Sequence, residues 1–295
     1  MTETVGSISR LWRFPVKSMA GEQLSQAALT TRGLVGDRAY ALIDVESGKV
    51  VSAKSAKRFP AILACRAAFL EEPEVGAESP PVRITLPDAV SVTSNDADCD
   101  GVLSRFFGQK VKLSSVAPED FTIDQYHPDV PDADPAGQRD TVVETKLGSA
   151  LFADMGAPSP VPVGAFFDLF PVSVMSTSTL ETLHRFQPES RFEARRFRMN
   201  IIVGSEVAGF VENDWVGRTL ALGHGPRVQV TMPDPRCVMP TLAQDDLPRD
   251  NNVLKTLVRH NRLELEGAGR YPCAGVYAVV VATGTVRTGE TVVLV

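Results

Sequence analysis

The chain has few cysteines and no pair of them in a CxxC spacing. Cys65, Cys99, Cys237 and Cys273 are spread over its 295 residues, which argues against a zinc knuckle, a disulfide framework and a cysteine-held iron–sulfur cluster. No apolar run approaches the roughly 20 residues that span a bilayer, so no membrane segment is expected. Glycines never form GxGxxG or GxxxxGK, which removes the common nucleotide loops. Basic charge is also short: 30 Lys and Arg against 36 Asp and Glu give a net charge of −6, which disfavours broad attraction to nucleic acid or anionic membrane. Any anionic ligand then needs a local basic pocket. Met1-Thr2-Glu3-Thr4 lacks the basic and apolar regions of a secretory signal, so a cytoplasmic location is expected. The length exceeds one typical core, and two domains are expected.

The order of patterns suggests a mainly β chain with some helix. From Ser7 to about Leu113 the segments Ile8 to Phe14, Ala39 to Asp44 and Val82 to Leu86 read as strands, with Glu46-Ser47-Gly48-Lys49 as a hairpin turn. Val102, Leu103, Phe106 and Phe107 recur at helical spacing, which predicts a helix from Cys99 to Phe107 stopped by Gly108. Pro118 to Gly164 is proline-rich and acidic, with no clear period before Thr141. It reads as a long solvated connection, although such segments also wall active sites. Beyond Ala165, Leu169 to Met175 suggests a strand and Ser176 or Ser178 a helix start. Val253, Leu254, Leu257 and Val258 share one face of a helix capped by Asn251 or Asn252. Gly275 to Ala282 and Val292 to Val295 read as barrel-closing hairpin strands.

Val228-Gln229-Val230-Thr231-Met232-Pro233-Asp234-Pro235-Arg236-Cys237 is the most informative stretch. Its alternation fits a strand with one buried face, and Pro233 and Pro235 are expected to break that strand and leave Cys237 on a loop at its end. Arg236 beside it favours a thiolate, the form that ligates soft metals or attacks electrophiles. A packing cysteine is the competing interpretation, but the polar, proline-broken setting points to function. Three other places combine cations with turn chemistry: Phe14-Pro15-Val16-Lys17-Ser18, Gly36-Asp37-Arg38 and Phe197-Arg198-Met199-Asn200. Lysine and arginine together suit a phosphate or another polyanion; singly, each is equally a solvated charge.

In their order and separations, these four motifs resemble the two-domain MOSC family, the family of the amidoxime-reducing component and its bacterial homologues. The resemblance implies an N-terminal β-barrel domain over residues 1–115, the acidic connection at 116–164 and a MOSC β-barrel domain with peripheral helices over 165–295. It implies a molybdenum cofactor (molybdopterin) between them, with Cys237 as the protein ligand to molybdenum. Lys17, Ser18, Arg38, Arg198 and Asn200 would grip the pterin and its phosphate, with Pro235 and Arg236 contributing from the cysteine loop. Leu169 and Phe170 occupy a turn that in relatives often carries polar residues, so contacts there are expected from the backbone. The activity implied is reduction of N–O bonds in small N-hydroxylated compounds, with the cofactor doing the hard chemistry. With no cluster motif in this chain, electrons would come from a separate flavin, haem or iron–sulfur protein.

Two alternatives remain open on the residues. Cys237 as a persulfide carrier would make the chain a sulfur-carrying or cofactor-handling module. A barrel that has lost its cofactor is the other, supported only by the altered Leu169-Phe170 turn. No histidine among His127, His184, His224 and His260 is assigned a role, since an isolated histidine is usually an ordinary surface or core group. Cys65 and Cys273 are expected to pack, and Cys99, among Asp96, Asp98 and Asp100, to be a bystander.

Overall fold

The computed structural model describes residues 2–295. Period-2 apolar patterning builds its centre. Val172 and Val174, Ile201 and Val203, Leu220 and Leu222, Val228 and Val230, Val276 and Ala278, and Val292 and Leu294 point into one core from six strands. The seventh strand, Glu3–Arg13, supplies Ile8 and Leu11. These two lie three residues apart because the register shifts between Ile8 and Arg10, and such a bulge turns the following side chain back to the same face. The sheet runs Val172–Ser176, Ile201–Gly204, Glu3–Arg13, Thr291–Leu294, Thr219–Leu222, Arg227–Pro235, Gly269–Ala282. The last strand then pairs back to Val172–Ser176 and closes a seven-strand barrel, leaving no edge between these strands.

The N-terminal strand is thus flanked by Ile201–Gly204 and Thr291–Leu294, both from the far end of the chain. Gly6 makes this possible: at φ +147°, a Cβ there would lie 1.8 Å from the carbonyl oxygen of Gly204. Gln26–Thr30 likewise pairs with Gly284–Arg287. From Val16 onward the chain builds a second core around Met19, Leu42, Phe59, Ile62, Ile84 and Leu103. The pairs Ala41–Asp44 with Val111–Ser114, and Arg66–Phe69 with Val82–Thr85 and Ser91–Thr93, surround it. The expected division into 1–115, 116–164 and 165–295 is a proposal; the crossing strand Glu3–Arg13 joins the first part to the last, so neither is expected to fold alone.

Most expected elements are present. The helix Cys99–Phe107 ends at Gly108 with φ 65°, and the helix Thr177–Phe186 is capped by the Ser176 hydroxyl, which accepts from the Thr179 amide. Asn252–His260 forms the third expected helix. Two expectations need correction. The connection is not an unstructured linker, because Thr122–His127 pairs with Thr141–Lys146 and is followed by the helix Gly148–Asp154. The strand before Cys237 does not stop at its prolines either. It runs through Pro235, with register shifts between Val230 and Met232 and between Pro233 and Pro235, irregular places where a missing N–H costs no ladder bond.

Candidate functional site

Strand Glu3–Arg13 leaves the barrel at Phe14 and enters the second core at Val16, so Lys17 and Ser18 fall at the seam. A small buried cavity of about 80 Å³ opens there, walled by Lys17, Ser18, Arg38, Arg198, Asn200 and Arg236. Four segments far apart in sequence therefore converge. A cavity of about 690 Å³ lies alongside, with Cys237, Pro235 and Leu169 in its wall. Lys54, Asp168, Phe170, Arg236 and Tyr277 line both, so the two cavities adjoin.

The backbone at the seam is strained. Ser18, Arg38 and Arg198 have φ of 67°, 49° and 54°, three of the seven non-glycine residues in the left-handed region among the described residues. Such conformations cost ~1–3 kcal/mol each and persist where the surroundings impose them, which is common at functional sites. Local bonds impose them here. The Ser18 hydroxyl accepts from the Ala53 amide at 2.9 Å, the Arg38 amide donates to the Phe14 carbonyl at 2.8 Å, and Arg198 Nη1 donates to the Met19 carbonyl at 2.6 Å. Both guanidiniums lie over the Phe14 ring, Arg38 at 4.6 Å and Arg198 at 4.2 Å from its centroid.

The charges are unevenly partnered. Arg38 is paired with Asp37 and donates to the Arg198 carbonyl at 3.0 Å. Arg198, buried beside it, has an Nη2 with no acceptor among the described residues. Burial, and then the like charge of Arg38, push Arg198 down to about 9. A buried cation with a free donor pair is the arrangement that a ligand anion completes. Arg198→Met should therefore leave the unloaded protein within ~1 kcal/mol of its parent stability, since the arginine's burial is itself costly. The same change should weaken anion retention by ~1–3 kcal/mol. Urea unfolding with and without inorganic phosphate checks both halves.

Asn200 contributes differently. Its Oδ1 accepts from the Ser173 amide and hydroxyl, both at 3.1 Å, and its Nδ2 donates to Asp37 at 2.8 Å and to the Trp12 carbonyl at 3.3 Å. These partners make it a brace between barrel strands and the Arg38 turn. Arg236 is also a brace, supporting the loop that carries Cys237. Its guanidinium pairs with Asp234 at 2.6 Å and donates to the carbonyls of Ala274 and Phe197, the latter at 3.0 Å. Gly275, at φ +79°, permits this approach, because a Cβ there would lie 3.4 Å from Arg236 Nη2 and 2.4 Å from the Met199 methyl. Cys237 follows on a partly exposed turn at the strand end.

Sequence reasoning missed Lys54, Asp168, Asp234 and Tyr277. Asp168 pairs with Lys17 on one oxygen and with Lys54 at 2.8 Å on the other. Burial opposes its charge, but the two ammonium groups outweigh that and hold its carboxyl well below the usual range. Because the folded value is depressed, the stabilisation is complete above the unfolded value near pH 4 and is lost as pH falls below it. Asp168→Asn should lower the urea midpoint at pH 7, and the gap to the parent should narrow at pH 3. Asp234 is buried with Oδ1 unpartnered among the described residues, and burial raises it to about 6 despite Arg236. Lys54 lies in an unpatterned stretch, and nothing nearby in sequence marked it.

Comparison with known protein families gives the class to which this barrel, the second core and the seam between them belong. Residues 5–116 match the MOSC N-terminal beta barrel domain and residues 163–293 the MOSC domain. The chain belongs to the two-domain MOSC family. Among curated relatives, the mitochondrial amidoxime-reducing component 1 of Mus musculus is 25% identical over 99% of this chain and 83% of its own length. The mitochondrial amidoxime reducing component 2 of Homo sapiens is 26% identical over 98% of this chain and 84% of its own. Among solved structures, the YUAD protein from Bacillus subtilis covers all of this chain and 96% of its own at 11% identity, with a TM-score of 0.45. No helix among the described residues is long and apolar enough to cross a membrane.

Proposed function

We propose that the chain is a molybdenum-cofactor-dependent oxidoreductase that reduces N-hydroxylated compounds with electrons from a separate donor protein, acting in the cytoplasm. The observation that carries the reading is the buried, incompletely partnered Arg198 at a seam where Lys17, Ser18 and Arg38 also converge beside Cys237. Its support from relatives is the amidoxime reduction in their names, over nearly the whole chain.

The donor set fits the proposed group. Lys17, Arg38 and Arg198 would neutralise its phosphate, while the backbone at Ser18 and the Leu169-Phe170 turn would border its organic part. Cys237 would give a soft thiolate ligand, suited to a metal already chelated by sulfur. The cofactor, when bound, supplies two-electron redox chemistry. Everything else falls to the chain. Asp168 keeps Lys17 and Lys54 charged and in place, and Arg236 fixes the loop that presents Cys237. The net conversion takes the N–OH compound, two electrons and two protons to the N–H compound and water. Protein made in a host with intact cofactor synthesis, supplied with a chemical reductant and an amidoxime, should yield the corresponding amidine. Molybdenum-loaded protein that reduces no amidoxime, hydroxamic acid or hydroxylamine would refute this reading.

A further inference from the structure

One peptide unit at the end of the barrel is gripped by opposite charges. The peptide joining Ala274 to Gly275, in the strand Gly269–Ala282, has its N–H donating to Glu212 Oε1 at 3.1 Å, while its carbonyl accepts from Arg236 Nε at 2.9 Å and Nη2 at 2.5 Å. The register with Arg227–Pro235 and Val172–Ser176 runs at Cys273 and from Val276 onward, skipping these two residues. Side chains, not a ladder, hold this peptide.

Glu212 reaches it from the short 3-10 helix Val211–Trp215, whose Trp215 is buried in the barrel core while Asp214 faces solvent. The Glu212 side chain is fully buried. Besides the Gly275 amide, it accepts from the hydroxyls of Ser176 at 2.5 Å and Thr179 at 2.6 Å, at the start of the helix Thr177–Phe186. Burial pushes its carboxyl up, and these donors oppose the rise. All three partners are neutral, and a carboxylate buried without a cation against it is costly. Packing alone calls for no charge there.

The charge does fix the direction of the peptide. With its N–H end at a carboxylate and its carbonyl end at a guanidinium, each hydrogen bond polarises the other. Turned over, the carbonyl would face the carboxylate and the N–H the guanidinium, so both ends would be repelled. Gly275, at φ +79°, lacks the Cβ that would otherwise resist such rotation. Arg236 depends on the outcome, since Ala274 takes two of its nitrogens, with Phe197, Asp234 and Met199 Sδ as its other partners. Cys237 is the next residue.

We propose that Glu212 is a positioning residue: its carboxylate locks the Ala274–Gly275 peptide, and the locked carbonyl holds Arg236 and with it the turn that presents Cys237. For its consequence the inference rests on Cys237 meeting the cofactor, but the lock exists in the cofactor-free chain and is tested there.

Glu212→Gln changes the charge at constant volume, because a glutamine can accept from the N–H or donate to the carbonyl of the turned-over peptide and so removes the bias. Alkylation of the cofactor-free full chain by iodoacetamide reads the turn. Burial holds the thiols of Cys65, Cys99 and Cys273 up at about 12, 11 and 12, so Cys237 is the one that reacts, as peptide mass spectrometry checks. The rate should rise about five-fold in Glu212→Gln, as local opening becomes easier. In an Arg236→Met background the same change should alter the rate less than about two-fold, since the two residues act in series. A parent-like rate in Glu212→Gln would overturn the lock, and so would an equal rise in both backgrounds, which would make Glu212 a packing residue only. Hydrogen exchange of the parent guards against a variant that fails to fold: the Gly275 amide should be protected as strongly as the paired strand beyond Val276, and exchange at the rate of an open loop would overturn the lock. In protein made with intact cofactor synthesis, Glu212→Gln should hold less molybdenum per pterin than the parent. Faster alkylation with molybdenum per pterin unchanged would overturn the positioning role, whereas faster alkylation with a parent free of molybdenum would keep the lock and overturn the reading of Cys237 as a metal ligand.

Discussion

Cys237→Ala is expected to abolish reduction of N-hydroxylated substrates while the protein stays folded. Cys237 sits on a partly exposed turn after the strand Arg227–Pro235, whose register is fixed upstream by pairing with Gly269–Ala282 and downstream by the Arg236 amide donating to the Pro272 carbonyl at 2.8 Å. Arg236 then anchors the turn through Asp234, Ala274 and Phe197, so the thiol can be removed without disturbing the frame that presents it. Loss of outer partners of a metal ligand already costs about 10–100-fold, so loss of the ligand itself should exceed ~100-fold. Steady-state turnover with a chemical reductant, alongside a thermal melt within a few degrees of the parent, checks the prediction. Near-parent turnover in the variant would remove Cys237 from the site.

Deleting residues 1–13 is expected to prevent folding altogether. The strand Glu3–Arg13 closes the barrel between Ile201–Gly204 and Thr291–Leu294, and it buries Ile8 and Leu11 in the barrel core. Removing two fully buried aliphatic side chains costs ~2–5 kcal/mol each, which alone approaches the ~5–15 kcal/mol that stabilises a typical domain. Two newly exposed strand edges add unpaired backbone groups and an aggregation surface. A fragment of residues 165–295 meets the same fate for the same reason. Expression of both, with circular dichroism and urea titration of any soluble material, should show no cooperative transition. A cooperative melt of the 165–295 fragment would make it an independent unit and the N-terminal strand dispensable.

What could be read from sequence follows from how local each signal is. Gly108 stops the helix Cys99–Phe107 by its own backbone freedom, and the apolar alternation at Val172 and Val174 or Val228 and Val230 reflects a period of two in a half-buried strand, so both were legible. The partners of Glu3–Arg13 lie at the other end of the chain, and no pattern within the strand names them. The hairpin Thr122–His127 with Thr141–Lys146 was hidden because its residues are mostly polar and an acidic, proline-rich loop separates its strands. Within the site, Lys17, Ser18, Arg38 and Arg198 stood out through turn chemistry and charge, whereas Lys54 and Tyr277 come to the cavities only through folding. The direction of Arg236 was likewise invisible, since its adjacency to Cys237 in sequence does not fix where the guanidinium points.

The central claim is that the cationic seam between the two cores holds an anionic molybdenum chelate through Cys237. Elemental and pterin analysis of the purified parent, Cys237→Ala and Arg198→Met, all produced with intact cofactor synthesis, tests it most directly. The account predicts stoichiometric molybdenum and pterin in the parent, with reduced pterin retention in Arg198→Met and depleted metal in Cys237→Ala. A parent free of both, with Cys237 readily taking up persulfide sulfur, would contradict it.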